Sequence, residues 1–275
     1  MKKIAIIPNK TKDSELLVAK RIVDILKGRA ELFMEKKFEG ELDGVCFKGE
    51  EIFDFCDCVI VIGGDGTVLQ VAEPCGKREI PVMGVNMGKV GFMTETETDQ
   101  LEEACGRLLS GDYLTEKRMM MSISIVKDGE TVECPGALND VVISKIDAKM
   151  ISVELYANEN KINAYISDGI IISTPTGSTG YSLSAGGPVA DPAMELFIAS
   201  PICAHMLGSR PAVMPADKEI VLELTQSEAT VTVDGVIVDK IKKGDKIVIK
   251  KADYSFNLIR MSKYSFYDVL INKLS

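Results

Sequence analysis

A glycine-rich turn that carries one carboxylate follows an apolar run early in the chain. The run and turn read Val59-Ile60-Val61-Ile62-Gly63-Gly64-Asp65-Gly66-Thr67. The β-branched run is typical of a strand buried on both faces, and the glycines let backbone N–H groups approach a ligand closely. Such amides bind phosphate without a side-chain cation, whereas a carboxylate beside them repels phosphate unless it binds a metal or activates a hydroxyl. The pattern therefore predicts phosphoryl transfer.

The same turn has a structural alternative, in which Asp65 caps the helix that follows. A second glycine-punctuated loop, Gly84–Met93, comes after the next apolar run. Because neighbouring parallel strands open their carboxyl ends to one side of a sheet, we expect both loops to lie at the same edge. Lys89 in the second loop is interpreted as a solvated cation rather than a phosphate ligand.

A hydroxyl-rich stretch, Ile172–Gly187, follows an apolar strand-like run in the second half of the chain. It offers backbone donors, hydroxyl contacts and the flat face of Tyr181 to a base or ribose, without formal charge. A plain surface loop is the alternative, but such loops seldom follow a run like Gly169-Ile170-Ile171-Ile172. We interpret the stretch as a nucleotide-binding loop.

An amide and a carboxylate interrupt another apolar run, at Asn139 and Asp140. Adjacent residues of a strand point to opposite faces, so at most one can be buried unless the strand is bulged or ends there. A carboxylate suits a ribose diol, because both hydroxyls can donate to its two oxygens. A strand-edge turn is the alternative. Asp168, just before an apolar run, is placed in a similar way.

Length and charge limit the class of ligand. The chain has 275 residues and a formal net charge of −9. This length allows two domains, each with its own core. An acidic surface gives nucleic acid and anionic membranes no electrostatic reason to bind, so we expect small-molecule ligands. No apolar run reaches the roughly 18 residues that a membrane-spanning helix needs, and the strand-like Lys3–Ile7 does not resemble a signal peptide.

Histidine and cysteine usage narrows the chemistry further. His205 is the only histidine, which excludes a catalytic triad or a metal cluster that needs two. The seven cysteines lack the paired spacing of zinc ribbons or disulfide frameworks, so we expect thiols in a cytoplasmic protein. Cys56 and Cys58 could ligate a metal, but we interpret them as buried structural thiols. General-base chemistry then falls to carboxylates.

The elements that position these residues change in character along the chain. Over residues 1–116, apolar runs alternate with amphipathic stretches, which is typical of parallel α/β units. We predict strands over 3–7, 59–62 and 80–85. We predict helices over 14–26, with Gly28 as C-cap, and over 99–109, closing at Gly111. These helices would cover the sheet.

From about residue 118, strand-length segments separated by turn signals predominate. The predicted strands cover 119–126, 151–156, 162–166, 220–224 and 229–233. Turns are predicted at 127–130, 158–160 and 243–246, and residues 267–274 regain helical spacing. We therefore expect an α/β amino-terminal domain over 1–116, joined by a returning tail of about 255–275, and a β-rich carboxyl-terminal domain over 117–254.

Taken in order, these segments resemble the NAD kinase family, over most of residues 1–260. The resemblance is carried by Gly63–Thr67, Gly84–Gly88, Leu138–Asp140, Ser173–Tyr181, Pro201–His205 and Ser209–Pro211. The hydroxyl-rich stretch is the most specific part, since lipid kinases that share the glycine–aspartate turn are not expected to carry it. The resemblance implies a parallel, Rossmann-like sheet in the α/β domain and a β-rich dinucleotide-binding domain.

The resemblance also implies a reaction. ATP would give its γ-phosphoryl group to the 2′-hydroxyl of the adenosine ribose of NAD, yielding NADP. Mg²⁺ or another divalent cation would accompany ATP, with its protein ligands left unassigned. Such enzymes are usually homo-oligomers, which implies a homodimer or homotetramer in which a neighbouring subunit contributes to the site.

Site residues carry over one by one. Asp65 would be the catalytic residue, either accepting the hydroxyl proton or ordering the metal and phosphates. The rest of the nucleotide turn would be Gly63, Gly64, Gly66 and Thr67. Asn139 and Asp140 would hold adenosine. The other residues of the dinucleotide site would be Asp168, Thr176, Thr179, Gly180, Tyr181, Ser182 and Ser184.

Four positions depart from the family pattern. Gln70 stands where arginine is frequent, Asp140 where glutamate is common, Gly180 where alanine is frequent and Val236 where glutamine is frequent. Asp140 shortens the reach to a ribose by one methylene. None of these changes removes the proposed catalytic carboxylate.

Two other functions stay open at this point. A lipid kinase, acting on diacylglycerol or a sphingoid base, would share the glycine–aspartate turn and would need no hydroxyl-rich stretch. A non-catalytic sensor would bind NADP without making it, and Asp65 would then be dispensable.

Overall fold

The structure is a computed structural model that describes residues 2–88, 91–205, 209–261 and 265–274. The chain divides into two units, which are described separately. Unit 1 comprises Met1–Lys117 with Ser255–Ser275, and unit 2 comprises Arg118–Tyr254. Each unit has its own apolar core.

Unit 1 is an α/β unit. In chain order it contains β1 (Lys2–Pro8), α1 (Leu17–Leu26), β2 (Ala30–Glu35), β3 (Cys46–Lys48), β4 (Cys58–Gly63), α2 (Asp65–Lys77), β5 (Val82–Asn86) and α3 (Leu101–Ser110). Its strands lie in the order β5-β4-β1-β2-β3, and every neighbouring pair is parallel. All six residues of β4 are buried, as its β-branched sequence predicts for a strand covered on both faces. The predicted parallel sheet is confirmed.

Helix α1 begins three residues later than predicted. Leu16 has a positive φ of 52°, so the chain becomes helical only at Leu17. The carboxylate of Asp13 accepts the N–H groups of Val18 and Ala19 at 3.2 and 3.0 Å, which satisfies donors of the first turn. The start at residue 14 was therefore wrong, because the left-handed backbone of Leu16 delays the helix and the Asp13 carboxylate satisfies the N–H groups of its first turn.

Two other predictions in unit 1 concern element ends. Helix α3 closes at Gly111, whose φ is +79°, as predicted from its glycine. Strand β5 begins at Val82 instead of residue 80, because Ile80 donates its N–H to Cys75 at the end of α2.

Unit 2 is β-rich, as predicted. It contains, in chain order, β6 (Leu114–Lys127, which begins in unit 1), β7 (Glu130–Glu133), β8 (Asp140–Lys145), β9 (Ile151–Ala157), β10 (Asn160–Ser167), β11 (Gly169–Ser173), α4 (Tyr181–Ser184), β12 (Leu196–Ile202), β13 (Ala212–Pro215), β14 (Ile220–Gln226), β15 (Glu228–Val233), β16 (Val236–Lys242) and β17 (Lys246–Arg260, which ends in unit 1). One sheet has the order β13-β12-β11-β8-β15-β16, with antiparallel pairs throughout. Strands β10, β9, β14 and β17 are also antiparallel neighbours.

The predicted turns of unit 2 are present. Asp128 and Gly129 both have positive φ, of 51° and 87°, which is the backbone of a two-residue hairpin turn. Asn158 and Gly244 have φ values of 52° and 94° at the other two turns. After β17 comes helix α5 (Phe266–Leu274), which the helical spacing of residues 267–274 predicted. This helix belongs to unit 1.

Within the described ranges, no helix combines the length and apolar character needed to cross a membrane.

Candidate active site

The glycine–aspartate turn joins β4 to α2 in unit 1. A Cβ on Gly63 would lie 2.4 Å from Thr67 Oγ1, and one on Gly64 would lie 2.7 Å from Lys12 Nζ. A side chain is therefore excluded at Gly63, whereas at Gly64 it would only displace the flexible end of Lys12. A Cβ on Gly66 would meet nothing within 4 Å. Gly66 is exposed, and the protein's own packing does not require glycine there.

Thr67 lies on the inner side of this turn. It is buried, and its Oγ1 accepts a hydrogen bond from Asn9 Nδ2 at 3.0 Å. Asn9 belongs to the loop after β1, so the ends of two adjacent parallel strands are linked at the turn. The ammonium group of Lys12, in the same loop, lies beside Gly64 and gives the turn a positive charge that the sequence analysis did not single out.

Asp65 is the first residue of α2, but it does not cap the helix. The N-cap is Gly64, and no side-chain cap hydrogen bond is formed, so the capping alternative was wrong. The carboxylate faces the loop after β5 instead. Oδ2 accepts the N–H of Phe92 at 2.9 Å, while Oδ1 accepts the N–H groups of Met93 and Thr94 at 3.0 and 3.2 Å. The Thr94 hydroxyl adds a bond to Oδ1 at 3.2 Å.

These four donors are unevenly divided between the two oxygens. Among the residues that the structure describes, Oδ1 accepts three bonds and Oδ2 accepts one, which leaves lone-pair capacity on Oδ2 for a further donor or a metal. Gly91 closes one side of the carboxylate, because a Cβ there would lie 2.0 Å from Oδ1. The side chain therefore has a fixed orientation and one usable oxygen.

The loop after β5 contacts the turn, as predicted from parallel-strand geometry. Met87 donates its N–H to the carbonyl of Gly63 at 2.9 Å. Gly84 is needed inside β5, because a Cβ there would lie 2.3 Å from the Met93 carbonyl oxygen. Asn86 is buried and donates to the Gly88 carbonyl at 2.8 Å. Lys89 lies outside the described residues.

In unit 2 the structure brings the hydroxyl-rich stretch onto Asn139. Thr174 donates its N–H to the Asn139 carbonyl at 2.9 Å, and its hydroxyl donates to the Leu138 carbonyl at 2.6 Å. A Cβ on Gly177 would lie 2.1 Å from the Asn139 carbonyl oxygen, so only glycine allows this contact. A Cβ on Gly180 would lie 3.7 Å from Asn139 Nδ2. Two segments predicted to bind one ligand are therefore in contact.

Asn139 and Asp140 stand where β8 begins, which resolves how an amide and a carboxylate can share one site. Asp140 is buried, and Asn139 is partly exposed. The side-chain oxygen Oδ1 of Asn139 is itself buried and accepts no hydrogen bond from the residues that the structure describes. An unpaired buried acceptor costs free energy, so this atom is suited to a donor from a ligand.

Asp234, which the sequence analysis did not select, binds the backbone of residues 138–140. We call the place where these residues contact the hydroxyl-rich stretch the corner of unit 2. Asp234 Oδ2 accepts the N–H of Leu138 at 2.8 Å, and its Oδ1 accepts those of Asn139 and Asp140 at 2.8 and 3.0 Å. Asp234 has a positive φ of 46° in the turn between β15 and β16. The Asp234-Gly235 pair signals such a turn, but nothing local indicates where its carboxylate binds.

The remaining residues of the predicted dinucleotide site differ in access. Tyr181 is 48% exposed and Ser184 is exposed, so both can meet a ligand. Ser182 is fully buried and bonds the hydroxyl of Ser200 at 2.9 Å. Thr179 donates to the carbonyl of Thr176 at 3.3 Å.

Thr176 meets a buried arginine. Its hydroxyl accepts a bond from Arg118 Nη1 at 3.4 Å, and Arg118 is only 2% exposed. This interaction lies inside unit 2 and orients the start of the hydroxyl-rich stretch.

Within one chain, Asp168 does not lie next to Asn139 and Asp140. It precedes Gly169 at the start of β11, whereas Ser173 at the other end of β11 pairs with Asp140. Four steps along an extended strand separate these ends by about 13 Å. Asp168 forms an ion pair with Lys145 at 2.7 Å, and both side chains are about one-third exposed.

Cysteine and metal chemistry give no competing site among the described residues. No group of three or more His, Cys, Asp or Glu side chains gathers there in a way that could hold a metal. Burial raises the pKa of Cys56 to about 11 and that of Cys58 to about 12, so both are protonated thiols at neutral pH. Their interpretation as buried structural residues agrees with this.

Comparison with known proteins adds to the geometry. Residues 4–113 match the ATP-NAD kinase N-terminal domain, and residues 138–261 match the ATP-NAD kinase C-terminal domain. The chain is 39% identical to the NAD kinase of Caldanaerobacter subterraneus, over 100% of this chain and 99% of that one. It is 36% identical to the NAD kinase of Lachnoclostridium phytofermentans, over 99% of both.

Two solved structures share the fold. An NAD kinase from Archaeoglobus fulgidus in complex with ATP has a TM-score of 0.78 at 27% identity, and the match covers 99% of this chain and 98% of that one. Yeast NADH kinase complexed with NADH has a TM-score of 0.92, with 100% of this chain and 87% of that one covered. At 19% identity, the yeast enzyme supports the fold alone.

The two units match the two domains of a family of phosphotransferases that act on an alcohol group. The family models cover both units, and the relatives match over their full lengths. The chain belongs to the NAD kinase family. The predicted family, fold class and enzyme class are confirmed, and nothing in the comparisons favours a lipid kinase or a non-catalytic sensor.

Proposed function

We propose that this chain transfers the γ-phosphoryl group of ATP to the 2′-hydroxyl of the adenosine ribose of NAD, with Asp65 as the catalytic residue. The observation that carries the proposal is the state of the Asp65 carboxylate, which is held by four donors and keeps capacity on Oδ2. Phosphoryl transfer depends mainly on positioning and charge stabilisation, so a fixed carboxylate oxygen is suitable equipment.

Unit 1 is proposed to bind the phosphates of ATP at the turn from Gly63 to Thr67. Three features support this: the open space at Gly66, the N-terminus of the 13-residue helix α2, and the ammonium group of Lys12 beside Gly64. Backbone N–H groups at a helix N-terminus favour phosphate, and a lysine adds a point charge.

A divalent cation fits this donor set. Mg²⁺ is usually held by one or two carboxylates together with substrate phosphates and waters, rather than by an all-protein cage. Asp65 supplies a carboxylate with capacity on Oδ2, and no larger cluster of ligands gathers among the described residues. A bound cation would neutralise charge on the phosphates. Asp65 would either bind this cation or accept the proton of the ribose hydroxyl.

Unit 2 is proposed to bind the dinucleotide at the corner formed by Asn139, Asp140 and the stretch from Thr176 to Ser184. The buried Oδ1 of Asn139 is suited to an N–H or O–H donor of adenosine. The accessible ring of Tyr181 offers a stacking face. Asp140 is suited to ribose hydroxyls, and Ser182 would act by fixing the start of α4, because its hydroxyl is bonded inside the unit.

The enzyme is proposed to work as a homo-oligomer in the cytoplasm. Asp168 lies at the opposite end of β11 from Asn139 and Asp140, so a dinucleotide role for it is best met in the site of a neighbouring subunit. The seven unpaired cysteines support a reducing compartment.

The test is production of NADP from ATP and NAD, followed by enzymatic cycling. Replacing Asp65→Asn keeps the size and removes the charge, and we expect kcat to fall about 100-fold or more. Asp24→Asn, the same change at an exposed position of α1, is the matched control and should leave kcat unchanged. Full turnover by the Asp65 variant would contradict the catalytic role of Asp65. Tight NADP binding without any turnover by the parent protein would contradict the proposed kinase activity.

A further inference from the structure

The segment that holds Asp65 is itself fixed by a buried ion pair. Glu95 follows Thr94 directly, and its carboxylate lies 3.1 Å from Arg260 Nη2, with the two side chains 6% and 10% exposed. Glu95 also accepts the backbone N–H of Met261, and Arg260 Nη1 donates to the Phe92 carbonyl at 3.4 Å. The carboxyl end of β17 is therefore bonded to both ends of the segment Phe92–Glu95.

Helix α5 covers the other side of the same segment. The rings of Phe92 and Phe266 lie 5.7 Å apart between centroids, and the ammonium group of Lys273 lies 4.7 Å from the Phe92 ring centre. Phe92 donates its N–H to Asp65 Oδ2, the oxygen that keeps capacity for a ligand. The ring, carbonyl and N–H of one residue thus connect α5, Arg260 and Asp65.

We propose that Glu95 and Arg260, with Phe266 of α5, are positioning residues for Asp65. This inference rests on the proposed function of Asp65 and extends it to the carboxyl-terminal segment of the chain. Removing one partner of a buried ion pair is destabilising, because the other charge loses its nearest compensation. Arg260 Nε also lies 3.6 Å from the Glu116 carboxylate, but that partner is more distant and its side chain is 29% exposed, so it replaces Glu95 only in part. Loss of Glu95 would therefore shift Phe92–Thr94, and the carboxylate that they hold would shift with them.

The effect should fall on turnover. Displacing a catalytic group by about 1 Å costs on the order of 100-fold in rate. NAD is proposed to be bound by residues of unit 2, so we expect Glu95→Gln to lower kcat at least tenfold and to change KM for NAD less than twofold. Arg260→Lys, which keeps the charge, should retain more activity than Arg260→Met.

Glu102→Gln is the matched control, because it breaks an exposed ion pair with Arg21 in the same unit, away from Asp65. It should leave kcat within twofold of the parent. Phe266→Leu is a milder second variant, since Phe266 is only partly buried, and we expect it to lower kcat several-fold. Circular dichroism and thermal melting of each full-length variant identify the folded ones.

The decisive measurement combines Glu95→Gln with Asp65→Asn. If Glu95 acts through Asp65, the double variant should be no slower than Asp65→Asn alone. An equal loss of kcat in both backgrounds would overturn the inference while leaving the role of Asp65 intact. So would folded Glu95 and Phe266 variants with the kcat of the Glu102 control. Full turnover by Asp65→Asn alone would instead overturn the proposed function itself.

Discussion

The carboxylate of Asp234 accepts the backbone N–H of Asp140 at 3.0 Å, so two acidic residues 94 positions apart share one corner of unit 2. Burial raises the pKa of the Asp140 carboxyl, and the charge of Asp234 adds to this effect, giving a pKa of about 7. Burial also raises the pKa of Asp234, while its three backbone N–H partners lower it. The Asp140 carboxyl therefore titrates near neutral pH.

This pKa predicts a pH-dependent stability. The ordinary pKa of Asp140 is 3.8 and the folded-state pKa is about 7. Between these values the folded state binds more protons than the unfolded state, so the free energy of unfolding falls as pH rises from about 4 to 7. Asp140→Asn removes the titration. At pH 8 we expect this variant to be more stable than the parent by at least about 1 kcal/mol.

Urea unfolding across that pH range measures the difference. The difference between the variant and the parent should level off below about pH 3, because Asp140 is then protonated in both the folded and the unfolded state. Asp24→Asn, at an exposed position, should give no such pH-dependent difference. A stability difference for Asp140→Asn that is the same at every pH would contradict the assigned pKa.

Replacing Asp234→Asn tests the other member of the pair. An amide offers one acceptor oxygen instead of two, so one of the N–H groups of Leu138, Asn139 and Asp140 loses its partner. We expect unfolding to become easier by about 1–3 kcal/mol. The pKa of Asp140 should also move toward its ordinary value, which narrows the pH window of its effect on stability.

The measurement is the same unfolding series, together with KM for NAD. Loss of order at Asn139 and Asp140 should raise KM for NAD more than it lowers kcat. An unchanged KM with an unchanged pH profile would show that Asp234 does not hold the corner.

Gly91 is predicted to be essential for the position of Asp65. A Cβ at this residue would lie 2.0 Å from Asp65 Oδ1 and 2.4 Å from Thr94 Oγ1. Gly91→Ala must therefore displace the carboxylate, and we expect kcat to fall by about 10- to 100-fold. Gly106→Ala is the control, because a Cβ there meets nothing within 4 Å inside α3 and alanine favours helix. Equal turnover by the two variants would contradict the prediction.

The elements that position the site were largely predictable, and the bonds that orient it were not. The β-branched run before Gly63 indicated a buried strand, and the glycines marked the turn, because both signals are local. The donors to Asp65 come from residues 27 to 29 positions later, and those to Asp234 from residues 94 to 96 positions away. Which backbone N–H groups face a carboxylate at such distances depends on tertiary packing.

Asp168 illustrates a different limit. Its place before an apolar run was correctly recognised, since it immediately precedes β11. A strand has two ends, however, and only the antiparallel register of β8 and β11 shows that Asp168 lies at the end away from Asp140. Local pattern could not supply that register, because the central residues of both strands, 141–143 and 170–172, are all apolar and fit either alignment.

Gly66 is predicted to serve the ligand and not the fold. A Cβ there meets no protein atom within 4 Å, so Gly66→Ala should fold normally and gain up to about 1 kcal/mol of stability from its place in α2. If phosphate approaches the backbone at this residue, the added methyl group should weaken ATP binding at least tenfold. Calorimetric titration with ATP measures this, and unchanged affinity in the folded variant would place the phosphates elsewhere.

Asp168 is predicted to act in the site of a neighbouring subunit, and mixing two variants tests this. Asn139→Ala and Asp168→Ala would each remove one of the proposed dinucleotide contacts, and we expect both to raise KM for NAD when present alone. In a mixed dimer, one site would take the intact Asn139 from one chain and the intact Asp168 from its partner, while the other site would lack both. Random mixing should then restore about a quarter of the parental sites.

Co-expressed chains carrying different affinity tags allow the mixed dimer to be isolated and assayed at low NAD. If Asp168 served its own chain, every site of the mixed dimer would lack one contact, and activity would not exceed that of the separate variants.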